Sequence, residues 1–153
     1  MMKLRKASFG DSKLLFDWAN ESGVRRNAIN SNPIEWNDHQ TWFHMKLQNE
    51  FSFIYIAEIE DIPRGQIRFD LENYISYIDY SIAVDERGKG YGVQILELGI
   101  FEMKKLIPNL STFIACVKPD NIASKRVFEK LGFSIKSSLF EGEIQLTEYQ
   151  YFL

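Results

Sequence analysis

The sequence predicts an α+β (mixed α/β) fold built on one central sheet with flanking helices. Hydrophobic periodicity gives the order β α α β β β α β α β β along the chain. The three strands between Phe53 and Val84 are consecutive, which breaks the regular alternation of a doubly wound sheet. No repeat, low-complexity tract or Pro/Ser-rich linker divides the 153 residues, so a single domain over 1–153 is expected.

Each element has a local cause. Residues 2–7 read as a short first strand. Asp11 is placed to cap a helix to about Asn20, with Leu14, Leu15 and Trp18 on its buried side. Gly23 then interrupts, and a turn or short helix carries Val24-Arg25-Arg26-Asn27. Ile29 to Glu35 contains Asn32-Pro33 and reads as a loop. Asn37 is expected to cap a second helix through about Gln48, on which His39, Trp42 and Phe43 share one face. Phe53–Ile59 and Ile62–Phe69 flank Glu60-Asp61 and read as a hairpin, with Tyr74–Val84 the next strand. A helix from Gly90 to about Leu106 carries Val93, Leu96, Ile100 and Met103 at helical spacing, and Pro108 lies beyond its end. Leu110–Val117 reads as a buried strand. Asn121 caps a helix whose Ala123, Val127 and Leu131 share a face, with Gly132 at its C-terminal turn. Phe133–Ser137 and Ile144–Phe152 close the chain as strands.

Composition narrows the function. A net charge of −3 disfavours a nucleic-acid partner. The longest apolar runs, such as Phe53 to Ala57, are too short to cross a bilayer, so no membrane partner is expected. No apolar segment follows the basic start, so a signal peptide is not expected. The one cysteine, Cys116, excludes an intrachain disulfide and points to the reducing cytoplasm. It is expected to be a buried structural thiol. Two histidines and one cysteine form no metal-ligand cluster, so no metal is expected.

The richest segment is Val84 to Gly92. Gly88, Gly90 and Gly92 strip side chains from a strand-to-helix turn, so backbone N–H groups can converge on one anion at a helix N-terminus. Arg87 and Lys89 add full positive charge. The spacing G-x-G-x-G is neither a Walker loop nor a dinucleotide fingerprint. It suits a pyrophosphate.

Arg87-Gly88-Lys89-Gly90-Tyr91-Gly92 matches the [RQ]-x-x-G-x-[GA] signature of the GNAT acyltransferase superfamily. Val117 to Ser124, followed by Glu129-Lys130-Leu131-Gly132-Phe133, resembles that family's second signature. The resemblance covers nearly the whole chain. It implies a mostly antiparallel sheet with two splayed parallel strands, and acetyl-CoA as donor substrate. The donor's pyrophosphate would lie on residues 87–92, including Tyr91. Its pantetheine arm would run along Ile82-Ala83-Val84, with Asn121 and Ser124 beside it. A backbone N–H near Val84 would face the developing oxyanion. Many members carry a proton-donating tyrosine where this chain has Phe128, so Ser124, a water or no acid at all takes that role.

The acceptor would be an amine. Alternation puts Asp79, Ser81 and Ala83 on one face of their strand, which makes Asp79 the first candidate base and Ser81 a relay. His39 is the other candidate base. Trp18-Ala19-Asn20, Val24 to Asn27, Ile34 and His39 to Phe43 loosely resemble acyltransferases acting on nucleotide-linked amino sugars, as in pseudaminic acid biosynthesis. That implies Arg25 on a diphosphate, Asn27 and Asn30 on sugar hydroxyls, and Trp42 and His39 beside the ring. The small-molecule acceptor expected first is a sugar nucleotide. A protein N-terminus and a non-catalytic acyl-CoA-binding module are the alternatives, and a homodimer is left open.

Overall fold

The computed structural model describes residues 1–153. Its elements follow the predicted order: β1 (Met2–Lys6), α1 (Ser12–Ala19), α2 (Ser22–Asn27), α3 (Trp36–Gln48), β2 (Ser52–Ile59), β3 (Ile62–Glu72), β4 (Ile75–Ile82), α4 (Tyr91–Leu106), β5 (Thr112–Val117), α5 (Ile122–Lys130), β6 (Ser134–Glu141) and β7 (Ile144–Phe152). The seven strands form one sheet in the order β1-β2-β3-β4-β5-β7-β6. Every neighbouring pair is antiparallel except β4 with β5.

That exception shapes the molecule. Parallel pairing joins only Ile75–Tyr77 to Thr112–Ile114. Beyond Tyr77 the two strands part, so the edge of β4 that faces β5 has no strand partner from Ile78 to Ile82. An unpaired backbone edge in the middle of a sheet is a template for another extended chain.

The two faces of the sheet are covered differently. α4 and α5 bury one face around Ile67, Phe69, Ile78, Phe113, Ala115 and Phe128. Gly99 lets α4 come close, because a Cβ there would lie 2.7 Å from Phe69 Cζ and 3.0 Å from Ile67 Cδ1. On the other face α1 and α3 cover only the β2 side, through Leu15, Phe43, Ile54 and Ile56. The outer halves of β4 and β5 on that face stay open.

Several local expectations are corrected. Asp11 does not cap α1 with its side chain. Its carboxylate accepts from the Ser8 N–H at 2.8 Å and from both Arg5 terminal nitrogens at 2.8 and 2.9 Å, closing the short 3₁₀ turn Phe9–Asp11. Gly23 lies inside α2, because Glu21 caps that helix through the Gly23 and Val24 N–H groups. Asn37 lies in the first turn of α3, and Glu35 holds the cap position. The buried stripe of α4 is Ile95, Leu96, Gly99 and Met103, which leaves Val93 and Ile100 half-buried. On α5 the buried residue is Phe128, and Ala123 is exposed. Cys116 is exposed, since no helix covers its face of β5 beyond the split. The Glu60-Asp61 hairpin forms with φ of 54° and 62°, a left-handed pair that matches strand twist.

Candidate active site

The loop after β4 folds as a row of unclaimed donors. Gly88 and Gly90 take left-handed φ values of 77° and 80°, which side chains disfavour. A Cβ at either would meet nothing within 4 Å, so the space above the backbone is free for a ligand. None of the N–H groups from Arg87 to Val93 donates to an acceptor in the chain. Gly90 occupies the N-cap of the 16-residue α4 without a side-chain bond, so the positive end of that helix is bare. This donor set suits a pyrophosphate.

A cavity of about 950 Å³ runs from this loop into the split between β4 and β5. Arg87, Gly88, Gly90, Tyr91 and Gly92 line it, together with Ile82, Asn121 and Ser124. Lys89, Ala83 and Val84 are not on its wall. Lys89 Nζ instead sits 3.0 Å from Glu86, which also pairs with Arg64. Lys89 is the main reason that the Glu86 carboxyl titrates below its ordinary range. Arg87 donates through Nη2 to Glu21 at 2.7 Å and through Nε to the Ile82 carbonyl at 3.1 Å. The Gly23 N–H, then Arg87, hold the Glu21 pKa down at about 2.

On the α5 side of the split, Asn121 Oδ1 accepts from the Ser124 N–H at 3.3 Å and caps the helix. Ser124 Oγ lies 3.0 Å from the Tyr80 hydroxyl. The Phe128 ring stands edge-on to Tyr80 at 5.8 Å and stacks on Tyr149 at 5.9 Å.

The open face carries a second polar cluster. Register pairs Gln66 with Ser81 and Arg68 with Asp79. Gln66 Nε2 donates to Asp79 Oδ2 at 3.2 Å and to Ser81 Oγ at 3.3 Å. Arg68 bonds Asp70 at 2.9 Å, lies 3.9 Å from Asp79, and stands 5.1 Å from the Trp42 ring. The Asp79 side chain stays 56% exposed, so it can meet a substrate.

The remaining expected residues divide. Asn27 and Trp42 line the cavity. Arg25 also lines it, but its guanidinium donates to the carbonyls of Ala19 at 2.6 Å, Asn30 at 3.0 Å and Asn32 at 3.3 Å. Asn30 is off the wall, and its side chain accepts the Asn32 N–H at 3.0 Å. His39 is buried, with Nε2 donating to the Ser12 carbonyl at 2.8 Å; that acceptor assigns the proton to Nε2. Burial lowers its pKa, so the ring is neutral at neutral pH. It packs against the rings of Trp36 and Phe43 at 5.9 and 5.8 Å. The structure brings in four residues that sequence reasoning missed: Glu21, Gln66, Arg68 and Tyr80. Only the strand alternation hinted at Tyr80, by setting it opposite Asp79. No group of three or more His, Cys, Asp or Glu side chains is arranged to hold a metal, and no helix is long and apolar enough to cross a membrane.

Comparison with known proteins agrees with this geometry. The acetyltransferase (GNAT) domain family matches residues 2–134. The chain is 24% identical over 143 residues to an L-methionine sulfoximine/L-methionine sulfone acetyltransferase of Pseudomonas aeruginosa, covering 89% of this chain and 82% of the relative. Among solved structures, RimL, a ribosomal L7/L12 alpha-N-protein acetyltransferase in complex with coenzyme A, superposes with a TM-score of 0.87 at 16% identity, covering 99% of this chain and 94% of that one. A spermidine N-acetyltransferase from Vibrio cholerae, in complex with CoA and spermine, gives 0.85 at 16% identity, over 99% and 95% of the two chains. The chain therefore belongs to the GNAT acetyltransferase family and is an acetyl-CoA-dependent N-acetyltransferase.

Proposed function

We propose that this enzyme acetylates a compact primary amine that enters from the open face of β4 and is deprotonated by Asp79. The observation that carries the reading is the Gln66–Asp79–Ser81 cluster, which stands on the cavity wall beside the split. Asp38 lines the same cavity and adds a second carboxylate for a cationic acceptor. Two of the cavity's arginines that could meet a diphosphate are engaged: Arg25 by carbonyls, and Arg68 by Asp70. Two of the three similar proteins are named for small amines, methionine sulfone and spermidine, which supports the same class, while RimL is named for a ribosomal protein.

The donor substrate supplies an activated acetyl thioester. The N–H groups of residues 87–93 hold its pyrophosphate, and the unpaired edge of β4 holds its arm. Asp79 takes the amine proton, directly or through water, and Ser81 with Gln66 keeps the carboxylate aimed. Val84, whose N–H is expected to face the oxyanion, lies in the turn beyond β4 and off the cavity wall, so it takes no part in this reading. His39 serves as a packed wall, buried against the rings of Trp36 and Phe43 with its Nε2–H on the Ser12 carbonyl.

A sugar nucleotide remains the second reading, on one observation. Arg26 lines the cavity and bonds Lys118 through its backbone carbonyl, which leaves the guanidinium unengaged. A thiol-release assay separates the two. Methionine sulfone, spermidine, aminoglycosides, nucleotide-linked amino sugars and N-terminal peptides would be compared by kcat/KM. The proposal expects the small amines to lead. Turnover confined to nucleotide sugars or peptides overturns it.

A further inference from the structure

Phe128 leaves the enzyme without a hydroxyl at the place where the resemblance expects the leaving thiolate to be protonated. The fold offers another hydroxyl beside it. Tyr80 points from β4 to the α5 side of the sheet, and its ring meets Phe128 edge-on at 5.8 Å. Its hydroxyl reaches across the split to Ser124 Oγ at 3.0 Å, and both residues line the cavity. Gly92, at the start of α4, stands beside that hydroxyl: a Cβ there would be in ordinary contact with it at 3.7 Å. Strand pairing ends at Tyr77, so the Tyr80–Ser124 bridge crosses the gap where a donor's arm would pass.

Strand alternation adds the stereochemical sense. Asp79 and Tyr80 are consecutive, so they project to opposite faces of the sheet. An amine approaching over Asp79 attacks the thioester carbon from one side. The amine and the departing sulfur are separate substituents of one tetrahedral carbon, so a base on one face of the strand and an acid on the other each serve their own atom.

We propose that Tyr80 is the general acid of the acetyl transfer, with Ser124 holding its hydroxyl in the split. This rests on the acetyl-transfer reading above. The amine nitrogen adds to the carbonyl carbon and the C=O π pair moves to oxygen; as that pair returns, the C–S bond breaks and its pair stays on sulfur. The Tyr80 O–H proton passes to that sulfur, and the tyrosinate regains a proton from solvent through Ser124. The amine loses its proton separately, to Asp79. Burial raises the Tyr80 pKa, which keeps the phenol protonated at neutral pH.

The test compares CoA with desulfo-CoA, which lacks the thiol, by calorimetry on wild type and Tyr80→Phe. Phenylalanine keeps the ring contacts and removes only the hydroxyl. Wild type is expected to bind CoA several-fold more tightly than desulfo-CoA, and Tyr80→Phe is expected to bind both alike. With a working acceptor, kcat should fall by about 100-fold in Tyr80→Phe while the donor KM changes little. Ser124→Ala keeps the phenol, loosens its anchor, and should lose part of the preference for CoA. If Tyr80→Phe keeps the full preference for CoA, or keeps wild-type kcat, Tyr80 is not the acid. If wild type fails to bind CoA at all, the acetyl-transfer reading goes first.

Discussion

At Glu21 one carboxylate caps α2 and holds Arg87, so it ties that helix to the glycine loop after β4. Its pKa falls from the ordinary 4.5 to about 2 in the folded chain. A depressed carboxylate stabilises the fold above its unfolded pKa, and that contribution fades as pH falls towards the folded value. Thermal stability should therefore drop between pH 4.5 and about 2, and Glu21→Gln should flatten that drop. Melting temperatures measured over this range check it; parallel profiles for the two proteins would count against the linkage. Asp79 makes the second claim at this scale. Asp79→Asn keeps a polar side chain beside Gln66 but removes the carboxylate proposed as the base. It should lower kcat by roughly 100-fold and leave CoA affinity unchanged, as steady-state kinetics and calorimetry would show.

Among the elements, α4 and α5 bear on the site most directly. The close approach of α4 to β3 depends on Gly99. Gly99→Val would press on Phe69 and Ile67 and should cost about 1–3 kcal/mol in urea unfolding. The first turn of α5 depends on Asn121, and Asn121→Ala should cost about 1 kcal/mol while loosening the Ser124 end of the split. The glycine turn before α4 and the Asn121 cap of α5 are legible in the sequence because their signals are local. Three alternate glycines, a preceding arginine and an asparagine before a helix each act within one turn of the chain. The stripe of α4 was misjudged because a glycine, Gly99, lies at its centre, and no hydrophobicity pattern counts a glycine as core.

For the whole molecule, sequence reading stopped where long-range register begins. Gln66 and Arg68 join Asp79 and Ser81 only because the tight turn at Asn73, with φ of 56°, sets β3 against β4 in one alignment. Arg87 meets Glu21 from 66 residues away, so nothing in the local pattern announces that pair. The exposed thiol of Cys116 follows from the split itself, which strips cover from a strand that reads as buried. The same split makes the fold a binding device: a sheet whose two central strands part leaves a backbone edge and a helix N-terminus turned towards one cavity.

The most direct measurement is an amide NMR titration of the enzyme with CoA. The N–H groups of Arg87 to Val93 should show the largest shifts and become protected from exchange on binding. Saturation with CoA that leaves those amides unmoved, with the response lying elsewhere, would contradict the assignment of this loop to the donor.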